Sequence, residues 1–229
     1  MDQTTQEVDR LYSQFVRRGA DDPYHAVFPQ FCKLCAETPD CRILEIGSRE
    51  VSGVSRRSCF AKARQYVGFD IHSGPGVDLV GDAHELSRHF APGSFDAVYS
   101  CSVFEHLAFP WKAVLEINQT LRVGGLCYVS THPVWPPHEL PWDFWRFPVA
   151  GLRLLFSEAT GFKTVVAQEG LPARVHSLVD DPPTRGVSAY DLPLGVAVIA
   201  QKIGDYDRDR LRWDVPLPTV LATTYPKRQ

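Results

Sequence analysis

No apolar run in this sequence approaches the roughly 20 residues that a membrane-crossing helix needs; the longest, such as residues 196–200, are fragments. The first twenty residues hold Asp2, Glu7, Asp9, Arg10, Arg17 and Arg18 and no apolar core. A secretory signal is therefore not expected, and a cytoplasmic location is. Basic runs are missing too. With a formal net charge of −3, the chain lacks the electrostatic footprint of a phosphate-backbone partner, which disfavours nucleic acid as a substrate. There is no internal repeat and no low-complexity tract. Six cysteines in a chain of this size do not suggest a disulfide scaffold. Cys32-x-x-Cys35, with Cys41 close behind, has part of a zinc site's spacing, but no second pair and no suitably spaced histidines complete four ligands. Phe28, Phe31, Cys32 and Cys35 share one helical face, so these thiols read as buried core, and no metal is expected.

What is present suits a soluble enzyme. The 229 residues are 44% hydrophobic and 22% charged, enough for one domain with an added cap. Val8, Leu11, Tyr12, Phe15 and Val16 recur at helical spacing, and a second helix is expected over 25–36. Then the period changes. Short apolar runs at 42–46, 66–71, 77–80, 95–100 and 126–131 are mostly separated by charged, helix-like segments, an alternation that argues for a parallel sheet with crossover helices. Residues 110–121 form the clearest crossover, closed by Gly124-Gly125, and another helix is expected over 149–159. The last two strands, 162–168 and 195–203, have no helix between them and are expected to pair antiparallel at the sheet edge. Residues 170–193 read as a surface loop, and the chain after Gly204 as an extended arm.

The most informative stretch is Ile43-Leu44-Glu45-Ile46-Gly47-Ser48-Arg49, an apolar strand running into a turn. Asp70 and Asp82 each end a later apolar run. Open parallel sheets bind ligands at the carboxyl ends of their strands. A glycine there lets backbone approach closely, and carboxylates beside it accept hydrogen bonds from ribose hydroxyls or an adenine amino group. The pattern reads as a site for a nucleoside-containing cofactor. Acidic residues at strand ends are also ordinary turn formers and helix caps. A carboxylate such as Glu45 inside an apolar strand needs a partner to offset its burial. The absence of Gly-x-Gly-x-x-Gly argues against a nicotinamide enzyme.

Four pieces in this order resemble the class I S-adenosylmethionine-dependent methyltransferases, specifically the methyltransferase type 11-like group. They are Leu44-Glu45-Ile46-Gly47, Gly68-Phe69-Asp70-Ile71, Gly81-Asp82-Ala83-His84, and Phe95-Asp96-Ala97-Val98-Tyr99-Ser100 leading to Val103-Phe104-Glu105-His106. The resemblance implies an α/β, Rossmann-like seven-stranded mostly parallel sheet with helices on both faces and the last strand antiparallel. With the element order, this leads to an expected division into an N-terminal helical cap (1–40), a cofactor-binding domain (41–204) and a C-terminal arm (205–229). Carried over, Glu45, Gly47, Ser48 and Arg49 would cradle the methionine part of S-adenosyl-L-methionine. Asp70 and Ile71 would hold the ribose, Asp82 and Ala83 would read the adenine edge, Ser100 and Cys101 would lie under the methionine moiety, and His106 would line the rim toward substrate. The group's usual glycines two and four places after the first are replaced here by Arg49 and Val51. Arg49 could pair with the cofactor's carboxylate.

The acceptor side falls near the ends of strands four and five. There Ser130-Thr131-His132-Pro133-Val134-Trp135-Pro136-Pro137-His138 precedes Trp142-Asp143-Phe144-Trp145-Arg146-Phe147. Long loops beside a site are usually functional. His132 or His138 is the candidate base, because an imidazole titrates near working pH. Asp143 joins the catalytic candidates, and Trp135, Trp142 and Arg146 the acceptor-binding ones; Asp143 and Arg146, three apart, alternatively form a salt bridge that fixes the loop. The expected function is methyl transfer to a small-molecule or glycan-like acceptor. The alternative is an S-adenosylmethionine-binding accessory or regulatory protein without transfer activity. The N-terminal helices and the arm could close over the pocket or mediate a homodimer.

Overall fold

A computed structural model describes residues 6–7, 10–11, 13, 19–51 and 53–212. The first expected helix falls largely, and the arm beyond 212 wholly, outside the described residues. The body is a seven-stranded sheet in the order β3-β2-β1-β4-β5-β7-β6. Its strands are β1 (Arg42–Ile46), β2 (Gln65–Asp70), β3 (Leu79–Val80), β4 (Phe95–Cys101), β5 (Leu121–Thr131), β6 (Phe162–Ala173) and β7 (Leu192–Lys202). β1 to β5 pair parallel, while β7 runs antiparallel between β5 and β6, as the missing crossover between the last two strands implied. Three α-helices accompany it among the described residues: α1 (Tyr24–Ala36), α2 (Pro110–Thr120) and α3 (Val149–Leu155).

Strand alternation divides the core in two. Leu44, Val98, Val129, Val196 and Val198 face α2, α3 and Phe156. Ile43, Ala97, Tyr99, Tyr128 and Ile199 face α1 and Phe60. On that second face Phe28, Phe31, Phe60, Tyr99 and Tyr128 make a cluster of edge-on, tilted and stacked rings, with Cys32 and Cys35 packed among them. Burial pushes the Cys32 thiol up to about 12, the behaviour of a core thiol and not of a nucleophile.

Several expected boundaries shift. Only short 3-10 turns, Arg57–Phe60 and Ala83–Arg88, occupy two of the connections expected to carry crossover helices. α2 stops at Thr120, and Gly124-Gly125 lies inside β5, where Gly124 takes φ +81° and the register against β4 jumps. The glycine pair absorbs a bulge and does not end the helix. α3 ends at Leu155 because Phe156 leaves the helical conformation to bury its ring, and Ser157 and Thr160 cap a separate turn. β6 and β7 run further into the proline-rich segment than the sequence suggests. Gly170 pairs with Gly195, and a Cβ at Gly170 would lie 2.0 Å from Asp22 Oδ1. That carboxylate accepts the Tyr24 and Leu171 amides, tying the start of α1 to the hairpin.

Candidate active site

A cavity of 350 Å³ opens along the carboxyl ends of β1, β2 and β4. At the β1 end the chain turns sharply. Gly47 takes φ +82°, and a Cβ there would lie 2.2 Å from Val103 Cγ2, so conformation and space both demand glycine. The Gly47 and Ser48 amides donate to the Phe69 carbonyl at 2.8 and 3.2 Å, locking the turn to β2. Asp70, at the tip of β2, is fixed by main chain: Oδ2 accepts the Arg49 amide at 3.1 Å and Oδ1 the His72 amide at 2.9 Å. Each carboxylate oxygen has a second acceptor position remaining. The Arg49 guanidinium stands nearby, Nε 3.7 Å from Asp70 Oδ1, with its stem against Gly74.

Asp82 caps the turn that follows β3, Oδ1 accepting the His84 amide at 2.9 Å. His84 Nε2 accepts the Phe109 amide, so Nδ1 carries the proton and donates to Asp82 at 2.6 Å. Burial pushes the Asp82 carboxyl up, but the hydrogen bonds from His84, with the Lys112 charge, outweigh it and hold it below the usual carboxylate value. It stays ionised beside the Ala83 amide, which also borders the cavity. Glu45 has found its partner inside the strand layer: the Tyr66 hydroxyl donates to it and stands 2.5 Å from the Tyr99 hydroxyl. Burial, opposed by those hydroxyls, still pushes the Glu45 carboxyl up.

The opposite end is built by the chain after β5 folding across the Phe104–His106 turn. The Phe144 and Trp145 amides donate to the Glu105 carbonyl, and the Phe147 amide to the His132 carbonyl. His106, His138, Glu139 and Trp142 line the cavity here, with Cys101, Ser102 and Val103 from the end of β4. Ser102 is a non-glycine residue at φ +53°, a strained conformation of the kind that concentrates at binding sites.

Of the expected residues, Glu45, Gly47, Ser48, Arg49, Asp70, Ile71, Asp82, Ala83, Cys101, His106, His138 and Trp142 all border this one cavity. Ser100 does not, because adjacent strand residues point to opposite faces and only Cys101 turns toward the opening. Asp143, expected among catalytic groups, is turned into the loop: Arg146 grips it at 2.6 and 2.7 Å and the His138 amide donates to it at 2.9 Å. The Arg146 hydrogen bonds hold its carboxyl at about 2. Arg146 spends its remaining donors on the Trp135, Trp145 and Pro136 carbonyls, so the pair braces the loop and leaves no fork for an acceptor. Trp135 stacks on His132, centroids 4.5 Å apart, outside the cavity lining. His132 sits one layer back, Nδ1 donating to the Leu194 carbonyl and Nε2 lying 3.3 Å from Ser102 Oγ. Arg56, His84 and Ser102 also border the cavity, and Glu105 is buried behind it; of these four only Glu105, an acidic residue in a largely apolar stretch, carries a signal in the sequence.

Residues 44–129 match the model of the methyltransferase domain family. That segment contains every strand tip of the crevice. It is a methyltransferase domain, consistent with the S-adenosylmethionine-dependent, type 11-like class. Solved structures share the fold. An S-adenosylmethionine-dependent methyltransferase from Archaeoglobus fulgidus is 16% identical at TM-score 0.55, over 78% of this chain and 94% of its own. One from Mesorhizobium loti is 18% identical at TM-score 0.52, over 77% and 97%. The methyltransferase CalH, solved with S-adenosylhomocysteine, is 16% identical at TM-score 0.54, over 76% and 55%. No curated protein matches the sequence. No described helix is long and apolar enough to cross a membrane. S-adenosylmethionine is the cofactor of this domain. The crevice fits it: Ser48 Oγ and Arg49 Nε are buried at the cavity edge with no hydrogen-bond partner among the described residues, as a polar ligand would leave them.

Proposed function

We propose that the chain transfers a methyl group from S-adenosylmethionine to a small or medium acceptor, preferentially at oxygen, with a sugar, glycolipid or secondary metabolite as the acceptor class. One observation carries the reading: strand-tip carboxylates at one end of a single cavity face imidazole and indole side chains at the other. The bound cofactor supplies an electrophilic methyl on a sulfonium, and the protein's work is orientation and removal of one proton. Asp70 accepts from the ribose hydroxyls, Asp82 and the Ala83 amide meet the adenine edge, and the Gly47–Arg49 turn receives the methionine carboxylate. Across the opening, His106 and Trp142 wall the acceptor, and His132 or His138 takes its proton.

The test is transfer of labelled methyl to fractionated acceptors of those classes. His132→Ala and His138→Ala are expected to keep cofactor affinity while turnover falls by about 100-fold in the variant that loses the base. Full rate in both would contradict an imidazole base, and no transfer to any hydroxyl acceptor would contradict the oxygen assignment. The second reading, cofactor binding without transfer, draws support from Arg49 standing against Asp70 where the group usually has glycine. It predicts tight S-adenosylhomocysteine binding with no turnover on any fraction.

A further inference from the structure

Glu105 is fully buried, and its carboxylate is only half satisfied. Oε2 accepts from Thr131 Oγ1 at 2.7 Å, while Oε1 has no hydrogen-bond partner among the described residues; His132 Nε2 stands 3.6 Å from it. A buried carboxylate with so little compensation is costly unless a cation completes it. Glu105, His106 and His138 each present a ligand atom within 4.8 Å of the others. The His106 and His138 rings are 4.7 Å apart and nearly perpendicular.

The second layer has the arrangement a metal requires. Nδ1 of His106 faces the Trp142 carbonyl at 2.5 Å, and Nδ1 of His138 faces the Pro136 carbonyl at 3.2 Å. Each contact commits the proton to Nδ1 and places the ring's lone pair on Nε2, the tautomer that ligates. Thr131 fixes the carboxylate in the same way. Two imidazoles and one carboxylate select a first-row divalent transition ion over magnesium or calcium, which prefer all-oxygen shells.

We propose that Glu105, His106 and His138 bind one divalent transition-metal ion at the acceptor end of the cavity, with open coordination positions facing the opening. Three protein ligands and an exposed side are the composition of a catalytic site and not of a closed structural one. Resting on the methyl-transfer reading, the ion's task is to hold the acceptor's hydroxyl oxygen and acidify it. The proton passes to His132 Nε2, the oxygen bonds to the methyl carbon, and the carbon–sulfur bond breaks to leave S-adenosylhomocysteine. His138 then belongs to the ion and His132 to the proton.

The experiment uses the full chain without an affinity tag, stripped with a chelator and titrated calorimetrically with Zn2+, with Co2+ absorption in parallel. One ion per chain is expected. Glu105→Gln and His138→Ala are expected to weaken it beyond the roughly 10- to 100-fold that loss of a second-layer partner costs. Cys35→Ser with Cys59→Ser addresses the second cavity, which Cys32, Cys35, Cys41 and Cys59 border, and is expected to leave the stoichiometry unchanged. No Zn2+ binding by the stripped wild type, or binding lost in the cysteine variant and kept in Glu105→Gln, overturns the site. Circular dichroism of each variant separates lost binding from lost folding, and the isosteric Glu105→Gln decides if His138→Ala unfolds. S-adenosylhomocysteine is titrated into the same samples. Its binding without Zn2+ binding overturns the ion alone; Zn2+ binding without it supports the ion and overturns the methyl-transfer reading.

Discussion

At one end of the crevice Gly47, Arg49, Asp70 and Asp82 stand at or just beyond strand ends and are held mostly by main-chain amides. At the other end His106 and His138, with Glu105 and His132 behind them, come from two separate connections; His106 and His132 are held by carbonyls far along the chain, Glu105 by the Thr131 hydroxyl and His138 by the nearby Pro136 carbonyl. The first construction is local and rigid: a strand tip and the turn after it determine where a carboxylate points. The second depends on a loop draped over the sheet, braced by Asp143 and Arg146. Under the proposed methyl-transfer reading, a site divided in this way keeps cofactor geometry constant while the acceptor pocket varies with the loop.

The sharpest break of the contrast is expected at Gly47. Gly47→Ala adds a Cβ 2.2 Å from Val103 Cγ2 at positive φ, and should cost about 3 kcal/mol of stability together with measurable cofactor binding. A thermal melt with and without S-adenosylhomocysteine checks it; an unshifted melt would show that the turn is loose. Asp70→Ala should weaken cofactor binding by about 2 kcal/mol, close to 30-fold, since hydrogen bonds to a charged group are lost. Arg146→Ala should act on the other end only. Stranding Asp143, whose side chain is 3% exposed, should cost about 1–2 kcal/mol of stability and reduce turnover while leaving cofactor affinity unchanged.

The smallest effect is the pH dependence of that brace. Arg146 holds the Asp143 carboxyl at about 2. A depressed folded value contributes stability fully above the unfolded value of about 4, and that contribution disappears as pH falls from there toward about 2. Melting temperature followed from pH 5 to pH 2 should therefore fall faster in the wild type than in Arg146→Ala. Parallel slopes would mean the ion pair is not made in solution.

The two ends also differ in how much of them the sequence discloses. Gly47, Asp70 and Asp82 were legible because each sits at or beside a strand end, and parallel sheets gather those ends. The antiparallel pairing of β6 and β7 was legible from the missing crossover between them. Ser100 was misplaced by one step of strand alternation, which motif matching does not resolve. Asp143 and Arg146 were legible as an i, i+3 pair, yet only the fold shows the pair turned inward to brace the loop. Glu105 and His138 lie 33 positions apart, and nothing in either segment announces their convergence. The glycines of β5 misled because a bulge and a helix end call for the same residue.

Calorimetric titration of S-adenosylhomocysteine into the wild type, Asp70→Ala and Arg146→Ala tests the divided crevice most directly. One site per chain is expected, weakened about 30-fold in Asp70→Ala and unchanged in Arg146→Ala. Absence of binding to the wild type, or equal binding by wild type and Asp70→Ala with loss in Arg146→Ala, would contradict the account.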